Sequence, residues 1–162
     1  MTAEANAKQT WSDAVAGVLR AHKDRPGALL PILHGIQEAI GYVPDDAVPV
    51  IAEELHLSRA EVHGVVSFYH DFRSTPPGRH VLKICEAESC QAMGSDQLVQ
   101  HACSRLAIEM HQTSADGAVT LEPVYCLGNC ALSPALLVDH EVHGRMTPAK
   151  LDRLLDGLRR KA

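Results

Sequence analysis

Four of the five cysteines in this chain fall in two close pairs, Cys85-x4-Cys90 and Cys126-x3-Cys130, with 35 residues between them. No other feature constrains the fold as much. Two loops distant in sequence must be brought to one place if the four sulfurs are to act together. The stretches leading into both pairs are β-like: Val81-Leu82-Lys83-Ile84 ends at Cys85, and residues 118–125 deliver Cys126. Strands ending at one edge of a sheet would bring the pairs together. Gly128 in the second loop and Gly94 just after the first mark tight turns, and glycine also lets backbone amides approach sulfur.

Three chemistries use such a set of thiols. Four thiolates ligate a [2Fe–2S] centre. Four thiolates also make a closed structural zinc site, although zinc knuckles usually space their cysteines by two. Oxidised, the same residues would be disulfides. Against disulfides stand the odd number of cysteines and the polar residues 1–10, which contain no apolar signal core. The expected location is therefore the cytoplasm, where thiols stay reduced. The C-x4-C-x2-C spacing of plant-type ferredoxins is absent. Spacing favours iron–sulfur and leaves zinc open.

The rest of the composition narrows the function by exclusion. Net charge is -5 with no block of Lys and Arg, so no nucleic-acid surface is expected. No run of 18 apolar residues exists, so no membrane insertion is expected either. G-x-G-x-x-G, Walker and G-x-S-x-G patterns are missing, which leaves the chain without its own means of binding NAD or of hydride chemistry. The ten histidines are scattered, with no i, i+4 pair of the kind that binds zinc on a helix. His34 falls in an apolar segment and is expected to be a hydrogen-bonded helix residue.

The organisation has three parts: a disordered arm over residues 1–10, a helical domain over 11–75 and a second domain over 79–162. Ser74-Thr75-Pro76-Pro77-Gly78 is the break. Before it, Leu29, Leu33, Ile36 and Ile40 recur at helix spacing, and Gly41 supplies a stop. Val48, Ile51 and Leu55 mark the next stripe. Ser58-x-x-Glu61 reads as a capping box before Val62, Val65, Val66 and Tyr69 on one face. After the break the pattern becomes β-α-β-β-β-α. Ser95 would cap a helix running to about Met110, with Cys103 as a small apolar residue on its stripe. Residues 135–138 and 140–143 would form a hairpin. Thr147-Pro148 would start a last helix bearing Leu151, Leu154, Leu155 and Leu158. The expected class is α+β, a helical bundle followed by a small sheet with helices packed on it.

At this point the chain resembles a known family. Cys85-Glu-Ala-Glu-Ser-Cys90-Gln-Ala-Met-Gly94, followed by Cys126-Leu-Gly-Asn-Cys130-Ala-Leu-Ser-Pro134, is similar to the thioredoxin-like [2Fe–2S] ferredoxins. That family includes the 24 kDa subunit of respiratory NADH dehydrogenase and matching subunits of NAD-linked hydrogenases and formate dehydrogenases. Leu30 through Pro44 and Val62 through Tyr69 resemble its N-terminal helical region. The resemblance implies a thioredoxin-like second domain and one [2Fe–2S] cluster on Cys85, Cys90, Cys126 and Cys130, with Cys103 outside it. It implies an electron-transfer subunit of an NAD-dependent oxidoreductase that carries no catalytic residues of its own. Its expected partners are a flavoprotein binding FMN and NAD(H) and a larger catalytic subunit with further redox centres. Glu88-Ser89-Cys90-Gln91-Ala92-Met93-Gly94 looks most like the gamma subunit of formate dehydrogenase, ahead of the respiratory and hydrogenase subunits. A zinc-stabilised interaction module is the alternative from another class. Glu86 and Glu88 would place negative charge near the centre and lower its potential.

Overall fold

The structure is a computed structural model that describes residues 3–160, with side chains described over 11–159. The chain divides into two compact units that part between Pro76 and Pro77.

The first unit is helical: α1 (Ala3–His22), α2 (Leu29–Ile40), α3 (Ala47–Glu54) and α4 (Arg59–Phe68). Helix α1 begins inside the stretch read as a disordered arm. Residues 1 and 2 of that stretch, and the side chains of 3–10, lie outside the described residues. The core is aliphatic, with Ile32, Leu33, Ile36, Ile51 and Val62 fully buried. Gly41 ends α2 in the left-handed region at φ 88°, its N–H donating to Gln37 O. The capping box is formed: Glu61 N–H donates to Ser58 Oγ, and Ser58 N–H donates to the Glu61 carboxylate at 2.8 Å.

One aromatic-face expectation differs from what is observed, whereas His34 lies within α2 as expected. Tyr69 lies one residue past α4 and is exposed, its ring set edge-on to Phe68 and Phe72. His34 is exposed too, and its ring packs 5.0 Å from Phe72. The Gln37 side chain tethers this region to α2, donating to Asp71 O and accepting from Arg73 N–H.

The second unit has a four-stranded sheet in the order β2-β1-β3-β4. Its strands are β1 (His80–Cys85), β2 (Val119–Val124), β3 (Leu136–Val138) and β4 (Glu141–His143). Between β1 and β2 come α5 (Glu88–Ala92) and α6 (Ser95–Leu106); α7 (Pro148–Arg160) closes the unit. Strands β1 and β2 are parallel, in register from His80 opposite Val119 to Cys85 opposite Val124. Strand β3 runs antiparallel to β1 and forms a hairpin with β4 around Asp139, which has φ 53°. Leu82, Ile84 and Leu136 from the sheet share a core with Leu98 and Ala102 of α6 and Leu151 and Leu155 of α7. The expected α+β arrangement is present.

Helix α6 departs from its expected bounds at both ends. Its N-cap is Gly94, in the left-handed region, so Ser95 is the first helical residue, and its buried hydroxyl has no partner. Ala107, at φ 55°, stops the helix before Met110. Ile108 and Met110 still pack on the core from the following loop, so the apolar spacing outlasts the helix. The short α5, inside the first cysteine loop, has no counterpart in the expected pattern. No helix among the described residues is long and apolar enough to cross a membrane.

Candidate metal centre

Parallel pairing puts the C-terminal ends of β1 and β2 at one edge of the sheet, the edge where open α/β sheets place their sites. Cys85 is the last residue of β1, its register partner is Val124, and Cys126 follows two residues later. The backbone beyond the strands stays knitted there: Cys85 N–H donates to Ala135 O and Glu86 N–H to Val124 O. Cys90 sits in α5, and Cys130 opens a 3-10 turn spanning Cys130–Leu132. The hydrogen-bonded sheet end thus gathers both pairs across their 35-residue separation.

All five cysteines are free thiols. Cys85 and Cys90 are each only 2% exposed and share a small apolar cluster with Ala135, Ala87, Val124 and Leu127. Cys126 and Cys130 are exposed. The four sulfurs therefore form an inner, dry pair and an outer, solvent-facing pair. The Cys126 and Cys130 sulfurs are 3.7 Å apart. With metal–sulfur bonds of ~2.3 Å, the edge of a tetrahedron is about 3.8 Å, so the outer pair already has the separation of two ligands on one metal.

Electrostatics ties the pairs together. Burial pushes the Cys85 thiol up, but the Ala87, Cys126 and Leu127 amides and the Cys90 side chain outweigh it and hold Cys85 below its ordinary value. Cys130 is pushed up, first by its contact with Cys126 and then by the charges of Cys126, Cys90 and Cys85. Packing four thiolates this closely without a cation is unfavourable, and a cationic centre reverses the sign of that interaction. The outer loop is shaped for sulfur as well: Cys126 takes φ 86° and Gly128 φ 72°, and Gly128 N–H donates to Cys126 Sγ at 3.4 Å.

Among the described residues no three His, Cys, Asp or Glu side chains converge on one ion position. The donor set instead offers two pairs, which fits a binuclear cluster taking two thiolates on each iron. Cys103 is on α6 and packs on the main core; burial and the charge of Glu109 push its thiol up. Glu86 is half-buried just past β1, and Glu88 is exposed at the start of α5.

Two serines inside the cysteine motifs make a contact that the sequence does not show. Ser89 of α5 and Ser133, after the 3-10 turn, bring their hydroxyl oxygens within 2.9 Å of one another. Ser133 Oγ is 3.5 Å from Cys90 Sγ and donates to Cys130 O at 2.9 Å. Isolated serines follow no periodicity, and only the folded loops bring these two together.

Comparison with known proteins matches the chain to one family. The sequence model described as thioredoxin-like [2Fe–2S] ferredoxin matches residues 15–159. A subunit of the NADH-quinone oxidoreductase of Pseudomonas aeruginosa is 35% identical over 148 residues, covering 91% of this chain and 89% of that one. The HndA subunit of the NADP-reducing hydrogenase of Solidesulfovibrio fructosivorans is 31% identical over 131 residues, covering 81% and 77%. The crystal structure of an NAD+-reducing [NiFe]-hydrogenase in the H2-reduced state superposes with a TM-score of 0.70 at 26% identity. That match takes in 83% of this chain and 22% of the other, so the chain spans about a fifth of the length of that relative.

Proposed function

Because the chain belongs to the thioredoxin-like [2Fe–2S] ferredoxin family, we propose that Cys85, Cys90, Cys126 and Cys130 ligate its [2Fe–2S] cluster. We propose further that it is a one-electron carrier subunit of an NAD-linked oxidoreductase complex. The observation that carries this reading is the outer pair. Its two sulfurs are at ligand spacing and face solvent at the sheet edge, while the inner pair is sealed beneath. A cluster held this way has one side open to a partner and the other shielded from water.

When bound, the cluster supplies reversible one-electron exchange. The chain's own residues hold and protect it. The amides of Ala87, Leu127 and Cys126 stabilise charge on the Cys85 sulfur, and Gly128 N–H does the same at Cys126. Nicotinamide exchanges electrons in pairs, so a one-electron carrier needs a flavin between the two. A flavoprotein subunit binding FMN and NAD(H) is the partner we assign, with a larger catalytic subunit bearing further redox centres beyond it. The reduced thiols favour the cytoplasm as the compartment.

For the host complex we put forward formate dehydrogenase, with this chain as its gamma subunit, on the resemblance of Glu88-Ser89-Cys90-Gln91-Ala92-Met93-Gly94. The second reading is a respiratory NADH dehydrogenase or an NAD-linked hydrogenase. It is favoured by the names of the complexes to which the relatives from Pseudomonas aeruginosa and Solidesulfovibrio fructosivorans belong. Anaerobic purification of the tagged chain from its host, with identification of the companion chains, tests the function. The expected companion is a flavoprotein whose presence lets NADH bleach the visible absorption of this chain. A formate-oxidising subunit in the same complex supports the first host, and a quinone-reducing or hydrogen-activating one the second. A chain that purifies alone, colourless and holding zinc would overturn both and leave the interaction module.

A further inference from the structure

We propose that the Ser133 hydroxyl donates a hydrogen bond to the Cys90 sulfur in the cluster-loaded protein and thereby raises the reduction potential, with Ser89 as the positioning residue. The proposal rests on the reading above that Cys90 is a ligand.

Protons are the limiting resource around the Ser133 hydroxyl. Ser133 Oγ has three neighbours: Cys130 O at 2.9 Å, Ser89 Oγ at 2.9 Å and Cys90 Sγ at 3.5 Å. A hydroxyl has one proton to give and two lone pairs. With Cys90 as a free thiol all three contacts are satisfied. The thiol and Ser89 both donate to Ser133 Oγ, and Ser133 donates to Cys130 O. Ligation releases the thiol proton to solvent, and the sulfur can then only accept. The contact with Cys90 survives only if Ser133 turns its proton onto the sulfur. That move takes the hydroxyl donor from Cys130 O, which keeps the Ser133 backbone N–H at 3.3 Å, and Ser89 is placed to replace the hydroxyl, with its own Oγ 3.4 Å from the same carbonyl. Two hydroxyl protons thus serve two acceptors, and the hydrogen bond between the two serines is exchanged for the one to sulfur. Without Ser89, Ser133 would have to choose between Cys130 O and Cys90 Sγ.

The consequence for the potential follows from charge. A donor to an ionised sulfur makes a charge-assisted hydrogen bond, about twice as strong as a neutral one. One-electron reduction adds negative charge that the sulfurs share, so the bond strengthens in the reduced state and favours it. Cys90 is only 2% exposed and the contact of its sulfur with Ser133 is part-buried, which limits replacement of the lost donor by water. Gly128 N–H works in the same direction at Cys126, but that donor is backbone and no side-chain substitution removes it. The hydroxyl pair is the element that a different residue choice would retune.

The test is redox titration of purified, cluster-loaded protein, followed by visible absorption and by electron paramagnetic resonance of the reduced state. Ser133→Ala should lower the midpoint. At the wild-type midpoint the ratio of reduced to oxidised protein should fall about tenfold, which for a one-electron couple is 59 mV. Ser133→Thr keeps the hydroxyl and should stay within about twofold of wild type. Ser89→Ala should shift the ratio in the same direction by less, because Ser133 then divides its proton between two acceptors. An unchanged or raised midpoint in Ser133→Ala overturns the proposal, as does a threonine variant shifted as far as the alanine variant. If Ser133→Ala loads no cluster, Ser89→Ala decides, and a wild-type midpoint there overturns the proposal. A wild-type chain that binds no iron fails the ligand assignment itself, a result distinct from all of these.

Discussion

Replacing Gly144 with alanine should loosen the second cysteine loop from behind. Gly144 lies between β4 and α7 and backs directly onto that loop. A Cβ built there would sit 2.6 Å from Leu132 Cβ, 2.9 Å from Leu132 O and 3.0 Å from Asn129 Nδ2. Leu132 Cβ and the Leu132 carbonyl cannot swing aside by rotamer change, so the backbone must shift. The next two residues fasten the same loop: Arg145 N–H donates to Leu132 O and Met146 N–H to Pro134 O. A forced displacement therefore strains those bonds and moves Cys130, two residues from Leu132. Overpacking of this kind costs about 1–3 kcal/mol. In a unit of this size that lowers the midpoint of thermal unfolding by roughly 5–20 °C. Gly157→Ala is the internal control. It lies within α7 with nothing inside 4 Å of the added methyl group, so it should stabilise the same unit. A helix-interior glycine replaced by alanine gains about 0.5–1 kcal/mol. The assay is thermal loss of visible absorption in both variants, with iron content as purified. The expected result is opposite signs, with iron depleted only in Gly144→Ala. A Gly144→Ala protein that melts no earlier than wild type and retains full iron would refute the steric reasoning.

Other expectations follow from the same contacts. Cys85→Ser should lose or badly destabilise the cluster, whereas Cys103→Ser, in the main core, should retain it; iron and sulfide analysis of the two variants distinguishes them. The Asp116 carboxyl is held below its ordinary value by the Ser114 hydroxyl, then by Ala118 N–H, with Arg159 adding to both. A carboxyl depressed on folding contributes stability that is complete above its unfolded value, about 3.9, and is lost as the pH falls through its lower folded value. Melting curves of Asp116→Asn and wild type should therefore differ at neutral pH and converge in acid; a gap that widens in acid would reverse the assignment.

Local chemistry was the legible part of this fold. The Ser58–Glu61 box, the Gly41 stop and the Thr147-Pro148 start depend on groups within a few residues of each other, and the first and last begin their helices and Gly41 ends its own as expected. The strand-end position of Cys85 was legible for the same reason: the short β-like run Val81-Leu82-Lys83-Ile84 leads straight into it. Ser95 misled because serine is a common cap, yet Gly94 takes the cap position and the serine hydroxyl is buried. Spacing on α6 misled at the other end, since Ile108 and Met110 reach the same core from a loop after Ala107 has broken the helix. Tyr69 follows apolar spacing but is exposed, its ring set against Phe68 and Phe72. At the candidate centre the cysteines themselves were legible. The division into a buried and an exposed pair, the serine bridge and the close approach of Gly144 were not. Each depends on contacts between segments distant in sequence, which only the folded sheet and its loops create.

The central claim is that Cys85, Cys90, Cys126 and Cys130 hold a two-iron cluster. Its most direct test is quantification of iron, acid-labile sulfide and zinc in anaerobically purified wild-type protein, with spin integration of the reduced sample. The expected result is a brown protein with about two irons and two sulfides per chain and about one unpaired spin on one-electron reduction. A colourless protein with one zinc and no sulfide would contradict it.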